Sequence, residues 1–299
     1  MITITNLSKG FGKVKALDNL SCTIENGCIF GMVGANGAGK STLLRLISGI
    51  YYPDGGSVKV DGEEVYDNPA AKEHIVFSPD LFRIVKPGAT LRRMADYFAA
   101  AYKNFSYEKF TQLAKVFSLD PKMKIRTMSK GMTKQAQTIL ALACNAEIIL
   151  FDETFDGLDP IARNVAKKLL YREVCDNGTT IVVTSHSLRE LEDTCDQLAM
   201  LYKGKIVLQS DVSDLKTKLF KVQLAFEGEK EREDFASLDL LSFQKQGKVV
   251  NLIMRGDREA AEASLRAMEP ILMEVLPLSL EEVFTYEMDT VGYKFDEIM

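Results

Sequence analysis

The chain has 299 residues, enough for one large domain or two. With 46% hydrophobic and 26% charged residues it has the composition of a globular protein and not of a disordered or low-complexity one. The net charge of -5 argues against general nucleic-acid binding, which uses a basic face. No stretch reaches the roughly 18 apolar residues of a membrane span. The most apolar run, TILALACNAEIILF, is broken by Asn145 and Glu147. The N-terminus shows no charged-then-apolar signal segment. The five cysteines form no C-x-x-C pair and are odd in number, so they are expected to be small buried hydrophobes in a reducing compartment.

Residues 1 to about 215 alternate short strands with helices, the pattern of an α/β domain with a largely parallel sheet. An apolar strand, CIFGMV, leads into GANGAGKST, Gly34 to Thr42, which fits G-x-x-x-x-G-K-[ST] at every position. The amphipathic helix STLLRLISG follows and ends at Gly49. The loop residues are Gly34, Ala35, Asn36, Gly37, Ala38 and Gly39. Its glycines let backbone N–H groups curl around phosphate oxygens without Cβ clashes. The helix N-terminus adds partial positive charge. Lys40 is placed to reach β- and γ-phosphates, and the Ser41 hydroxyl to ligate Mg²⁺; Thr42 completes the motif.

SVKVDGEEV reads as a hairpin closing on Asp-Gly. Between Pro87 and about Cys144, apolar residues recur at three and four spacings in LRRMADYFAAAYKNF, YEKFTQLAKVFSL and KGMTKQAQTILALAC, the signature of a helical subdomain inserted in the core. The last of these helices opens with Ser129 and Gly131, and a helix start of that kind can hold a phosphate. Ile148 to Phe151 form a buried strand ending in Asp152 and Glu153. Adjacent carboxylates at the mouth of a buried strand are costly unless they hold a cation or take part in chemistry. Asp152 is placed for the Mg²⁺ shell, and Glu153 to polarise a water against the γ-phosphate. His186 follows a further apolar strand, TIVVTS; if that strand lies beside the other two, its imidazole can reach the γ-phosphate. His74 has no such setting and is expected at the surface. AMLYKGKIVLQ reads as a second hairpin, closing on Lys-Gly.

After SDVSDLKTKL the pattern changes. FKVQLAFEG reads as a strand, EKEREDFASL as a helix, LLSFQKQGKVVNLIM as two strands, DREAAEASLRAM as a helix and ILMEVLPL as a strand. This β-α-β-β-α-β order is that of a small ferredoxin-like domain over 216–299. SLEEVFTYEM then opens a last helix with Ser279 as N-cap and Glu282 three residues on.

A phosphate loop, a Ser-x-Gly helix start, strand-Asp-Glu, DGLD and strand-His, in that order, resemble the ATP-binding cassette (ABC) ATPases over about residues 1 to 215. The resemblance implies a P-loop NTPase α/β core with an inserted helical subdomain at about 87–144, followed by a small α+β domain. It makes Phe11 the aromatic that stacks on adenine, Gly34–Thr42 the Walker A loop, and Ile148–Asp152 Walker B. Glu153 becomes the catalytic base, Asp156–Asp159 the D-loop, His186 the switch histidine and Met128–Met132 the signature. Three motifs depart from the family pattern, at four positions. Lys130 and Met132 stand where the signature has Gly and Gln, Asp80 where the Q-loop has Gln, and Thr154 where Pro usually follows the Asp-Glu pair. A carboxylate at Asp80 can ligate Mg²⁺, and it adds charge near the γ-phosphate.

The resemblance also implies a second cassette. Two would meet head to tail, with ATP between the Walker A of one and Ser129, Lys130, Gly131 and Met132 of the other. One phosphate loop per chain implies a homodimer or a pair with a similar subunit. The expected role is the ATPase subunit of an ABC transporter, with ATP and Mg²⁺ as ligand and cofactor and no nucleic acid. It would lie in the cytoplasm, held to the inner face of the membrane by a separate permease. The segment LSLEEVF resembles the tails of ABC-2-type exporter ATPases, which implies export of a peptide, antibiotic or other amphipathic cargo. The alternative is a soluble ABC ATPase doing mechanical work in translation or DNA repair. A single phosphate loop and too little chain between Lys40 and Ser129 for a long coiled coil weigh against it. A GTPase or small-molecule kinase would leave Ser129, Gly131 and His186 unexplained, and no N-K-x-D motif is present. Glu153 weighs against an ATP-binding protein without turnover.

Overall fold

The computed structural model describes residues 1–80 and 88–290. Pro87, the expected start of the helical insert, and residues 291–299 lie outside the described residues. Two compact units form, Met1–Gln209 and a second that begins at Ser210.

In the first unit, β1 (Ile2–Phe11) and β2 (Val14–Ile24) alternate apolar and polar residues. The period of two turns Ile2 and Ile4 to the core with Leu20, Cys22 and Ile24, and register shifts along the pair bring Leu7 and Leu17 into the same core. β3 (Ile29–Val33) is buried at every position, as a strand covered on both faces must be. It is followed by α1 (Lys40–Ile47), then by β4 (Gly55–Val60) and β5 (Glu63–Glu64), which close on Asp61 and Gly62, both at positive φ. β1, β2, β4 and β5 make an antiparallel sheet of their own in the order β2-β1-β4-β5, where the sequence suggested only one, largely parallel, sheet. The pairing of β1 with β4 joins residues far apart in the chain, and no local pattern announces it.

α2 (Pro69–Glu73) precedes β6 (Ile75–Ser78). The helical insert holds α3 (Leu91–Ala101), α4 (Tyr107–Val116) and α5 (Lys130–Ala143). Each opens on a hydroxyl N-cap, Thr90, Ser106 and Ser129, that accepts a backbone N–H; such caps contribute about 1 kcal/mol each. β7 (Ile148–Phe151), α6 (Pro160–Asn177), β8 (Thr180–Ser185), α7 (Leu188–Glu192), β9 (Gln197–Tyr202) and β10 (Lys205–Asp211) follow. The second sheet runs β10-β9-β3-β8-β7-β6. Its pairs β9–β3, β3–β8, β8–β7 and β7–β6 are all parallel. The core of this unit packs Phe30 and Met32 of β3 with Leu43, Leu44 and Ile47 of α1 and Ile2, Ile4 and Leu7 of β1.

The second unit contains α8 (Val212–Lys218), β11 (Leu219–Ala225), β12 (Leu240–Gln246), β13 (Val249–Arg255), α9 (Arg258–Arg266), β14 (Leu272–Leu276) and α10 (Leu280–Thr290). Its sheet runs β12-β13-β11-β14, antiparallel throughout. The expected helix in EKEREDFASL is only a short 3-10 turn, Arg232–Phe235. Its residues are strong helix formers but supply one fully buried side chain, Phe235, which packs against Phe226 and Phe243, with Leu238 half-buried against the same core. One buried side chain does not make an amphipathic helix. The cap of α10 forms as expected: the Ser279 N–H donates to Glu282, and the Glu282 N–H to the Ser279 hydroxyl.

Candidate active site

Parallel pairing puts the C-terminal ends of β3, β8, β7 and β6 side by side, with Val33 opposite Ser185, Val183 opposite Phe151, and Phe151 opposite Ser78. The segments leaving those ends carry the candidate residues. Gly34–Thr42 leave β3, His186 leaves β8, Asp152 and Glu153 leave β7, and Asp80 lies two residues beyond β6. This carboxyl edge of a parallel sheet is where open α/β folds bind ligands. β8 lies between β3 and β7, so the condition placed on His186 is met.

The phosphate loop is braced from behind. Gly204, in the β9–β10 turn, donates its N–H to the Ala38 carbonyl at 3.0 Å and accepts from the Asp18 N–H at 2.9 Å. Gly39 caps α1 at φ 113°, and a Cβ there would lie 2.6 Å from the Ala16 carbonyl oxygen. Asn36 and Gly37 are exposed at the loop tip, Ala35 is half-buried and Ala38 is buried. Lys40 is buried and folds back to donate to the Gly34 and Ala35 carbonyls, with Glu153 Oε1 at 4.0 Å. Burial pulls its pKa below the ordinary lysine value, against the opposing pull of Glu153 and Asp152. Thr42 lies half-buried in the first turn of α1.

Asp152 is 1% exposed. Its Oδ1 accepts from Ser41 Oγ at 3.0 Å and from Thr184 Oγ1 at 2.9 Å. Its Oδ2 is buried and takes no hydrogen bond among the described residues. Buried carboxylate oxygens are rarely left so, and an orphan beside a serine hydroxyl suits a hard divalent cation such as Mg²⁺. Glu153 follows at φ 51°, an uncommon conformation for a non-glycine residue, and its N–H donates to Thr184 Oγ1 at 3.0 Å. Thr184 therefore fixes both carboxylate residues, and no motif in the sequence marks it. Its one signal was a polar residue inside the apolar run TIVVTS. His186 is exposed, with Nδ1 3.9 Å from Glu153 Oε1. His74 is also at the surface, paired with Glu147 at 2.8 Å.

The oxygens of Asp80, Glu153 and Asp156 lie within 4.8 Å of one another. Two lysines of α5 meet this group. Lys134, 3% exposed, donates to Asp80 Oδ1 at 2.8 Å and to the Asp80 and Asp152 carbonyls at 3.2 Å. Lys130 Nζ lies 2.5 Å from Asp156 Oδ2. That bond raises the Lys130 pKa and lowers the Asp156 pKa. No motif in the sequence marks Lys134. Ser129 and Lys130 are exposed, Gly131 and Met132 half-buried, and Ser129 Oγ accepts from the Met132 N–H at 3.1 Å. Asp159 caps α6, accepting from Ile161 and Ala162 N–H at 2.9 Å. Among the described residues no hydrogen bond or ion pair joins 129–132 to 34–42. Phe11 is exposed at the end of β1, edge-on to Tyr51 at 5.4 Å between ring centroids.

The family described as ABC transporter matches residues 17–156. The chain is 30% identical over 287 residues to the ABC transporter ATP-binding protein YtrB of Bacillus subtilis (strain 168), covering 95% of this chain and 97% of that protein. The chain belongs to the ATP-binding proteins of ABC transporters. Relatives of this family include the methionine import ATP-binding protein MetN of Mannheimia succiniciproducens, 32% identical over 72% of this chain and 66% of that one. The fold of the family recurs in the dimeric bacterial ABC transporter cassette MJ0796, with a TM-score of 0.64 at 23% identity over 71% of this chain and 99% of that one. It recurs also in an ATP-bound Atm1-family ABC exporter, with a TM-score of 0.62 at 23% identity over 72% of this chain and 39% of that one. The protein is thus an ABC ATPase, the ATP-binding subunit of a transporter. No helix among the described residues is long and apolar enough to cross a membrane.

Proposed function

We propose that this ATPase hydrolyses MgATP at the carboxyl edge of the parallel sheet and powers export through a separate permease. The observation that carries the catalytic part is Asp152: one oxygen is taken by Ser41 and Thr184, the other is buried and open. Ser41 and Asp152 would hold Mg²⁺, which when bound neutralises charge on the β- and γ-phosphates. Lys40 exchanges the loop carbonyls for phosphate oxygens. Phe11 offers its exposed ring to adenine. Glu153 accepts a proton from the attacking water, and His186, exposed with Nδ1 3.9 Å from Glu153 Oε1, donates toward the γ-phosphate.

Ser129 and Gly131 belong to a site completed by a second chain. Ser129 is exposed and Gly131 half-buried at a helix start, and among the described residues no bond joins either to the chain's own phosphate loop. A head-to-tail homodimer, or a pair with a similar subunit, brings that helix start to the facing γ-phosphate. ATP then holds the pair together and hydrolysis releases it. The dimeric cassette MJ0796 supports this arrangement through its shared fold. The protein would lie at the inner face of the membrane through its permease. Export of a peptide, antibiotic or other amphipathic cargo is supported by the LSLEEVF segment.

The catalytic part is tested by phosphate release from MgATP with Glu153→Gln as control. The wild type should turn over; the variant should bind ATP without turnover. Direction is tested in inside-out vesicles carrying the chain with its permease. ATP-driven uptake into such vesicles supports export, and ATP-driven loss of preloaded cargo refutes it.

A further inference from the structure

Three carboxylates within 4.8 Å, beside a site built for polyphosphate, repel one another and the substrate. The protein sets two lysines, one helical turn apart on α5, against them. Lys134 is 3% exposed, and its three oxygen partners are Asp80 Oδ1, the Asp80 carbonyl and the Asp152 carbonyl. An ammonium has three N–H donors, so these contacts leave none for a phosphate. Lys130 closes on Asp156 at 2.5 Å. Glu153 differs from its two neighbours: His186 Nδ1 lies 3.9 Å and Lys40 Nζ 4.0 Å from its Oε1, and among the described residues neither hydrogen-bonds to it.

We propose that Lys134 is a positioning residue which, with Lys130, commits Asp80 and Asp156 to α5 and so holds Glu153, the remaining carboxylate of the cluster, in place for the reaction. The proposal rests on the ATPase mechanism above. It makes Asp80 a strut between the end of β6 and the helix that opens at Ser129, and not a ligand of Mg²⁺. Because Lys134 also holds the Asp152 carbonyl, a movement of α5 reaches both acidic residues at the end of β7. The sequence departure at Asp80 and the buried lysine are then one feature: a carboxylate is tolerated there because an ammonium meets it.

The test is a double-mutant cycle on the full chain, reading phosphate release against ATP and against Mg²⁺. Lys134→Gln should lower kcat about 10-fold or more with the KM for ATP within about 3-fold, since Lys40 and its loop are untouched. Adding Asp80→Asn should recover most of that loss, because the uncompensated carboxylate is gone. Asp80→Asn alone should leave the half-saturating Mg²⁺ concentration within about 2-fold of the wild type. If Lys134→Gln does not fold, Lys134→Arg and the Asp80→Asn/Lys134→Gln pair carry the test, and both should turn over ATP. The proposal is overturned by an unchanged kcat in Lys134→Gln, by a double variant no better than Lys134→Gln, or by a Mg²⁺ requirement raised about 10-fold in Asp80→Asn. A wild type that binds no fluorescent ATP analogue would overturn the ATPase mechanism itself; a wild type that hydrolyses ATP with no recovery in the double variant overturns this proposal alone.

Discussion

Ser41 donates to Asp152 Oδ1 at 3.0 Å, tying the first turn of α1 to the end of β7 across 111 positions of sequence. Thr184 donates to the same oxygen from the strand between them, which leaves Oδ2 as the open acceptor. Asp152→Asn keeps the shape and removes the charge. Turnover should fall about 100-fold or more, and the Mg²⁺ needed for half-activity should rise. Thr184→Val keeps the volume but removes both of its bonds, at about 1–3 kcal/mol of stability for the buried groups left unpaired. A Mg²⁺ titration of phosphate release and a thermal melt check the two variants. Normal metal dependence in Asp152→Asn would refute the metal assignment.

Glu153→Gln separates binding from chemistry. The amide keeps the size of the side chain and its backbone bond to Thr184, but cannot accept a proton from water. Turnover should drop about 100- to 10,000-fold, the range of a lost general base. ATP should still bind, and size-exclusion chromatography with ATP should show a persistent dimer. Rapid hydrolysis by this variant would sink the assignment of Glu153.

The parts of the site that the sequence displayed are those built within one segment. GANGAGKST and IILFDE each carry their chemistry next to the strand that places it, so spacing alone announces them. Thr184 and Lys134 act on partners far away in the chain, and their meaning comes from tertiary placement. Lys130 and Lys134, four residues apart on a helix, look like a solvated face in one dimension; in the fold Lys134 is buried against Asp80. The separate antiparallel sheet was missed for the same reason, since the β1–β4 pairing is non-local. The helix expected near Phe235 failed differently: local propensity favoured it, but only Phe235 is fully buried, with Leu238 half-buried at the end of the segment.

Gly131 and Gly157 bring the start of α5 against the DGLD segment. A Cβ on Gly131 would lie 2.7 Å from the Gly157 carbonyl oxygen, which is backbone and cannot swing away. A Cβ on Gly157 would meet Lys130 Cδ at 3.0 Å, at φ +77°, where a side chain costs about 1–2 kcal/mol. Gly131→Ala should therefore lower ATPase activity whether or not Lys130 is truncated. Gly157→Ala should recover in part when combined with Lys130→Ala. Equal recovery of both variants would show that the close approach is not what limits them.

The Lys130–Asp156 bond gives stability a defined pH dependence. It lowers the Asp156 pKa below the ordinary 3.8, so the folded state binds its proton less readily than the unfolded one. The contribution is present above the unfolded value and is lost as pH falls through the folded value. Lys130→Met should thus melt below the wild type at neutral pH, with a gap that shrinks as pH drops below about 4. The gap should be small, because Lys130 is largely exposed and solvent screens the pair. A gap that widens in acid would contradict the sign of the shift.

Thiol reactivity tests the core directly. Cys22, Cys144 and Cys195 are buried, as expected of cysteines used as small hydrophobes. Burial pushes the thiols of Cys22 and Cys144 up to about 12 and raises that of Cys195 as well, so little thiolate is available at neutral pH. Cys175, on α6, is exposed and Cys28 half-buried, so two of the five depart from the buried role the sequence suggested. Cys28 Sγ donates to the Glu25 carbonyl at 3.2 Å, which slows its access to reagent. Native protein treated with a maleimide should show one fast site, removed by Cys175→Ser, and one slower site at Cys28. The other three should label only after denaturant is added, at a rate set by global unfolding, since all three sit in the packed interior. Fast labelling of Cys144 in native protein would mean that the packing around the C-terminal end of α5 is looser than this arrangement requires.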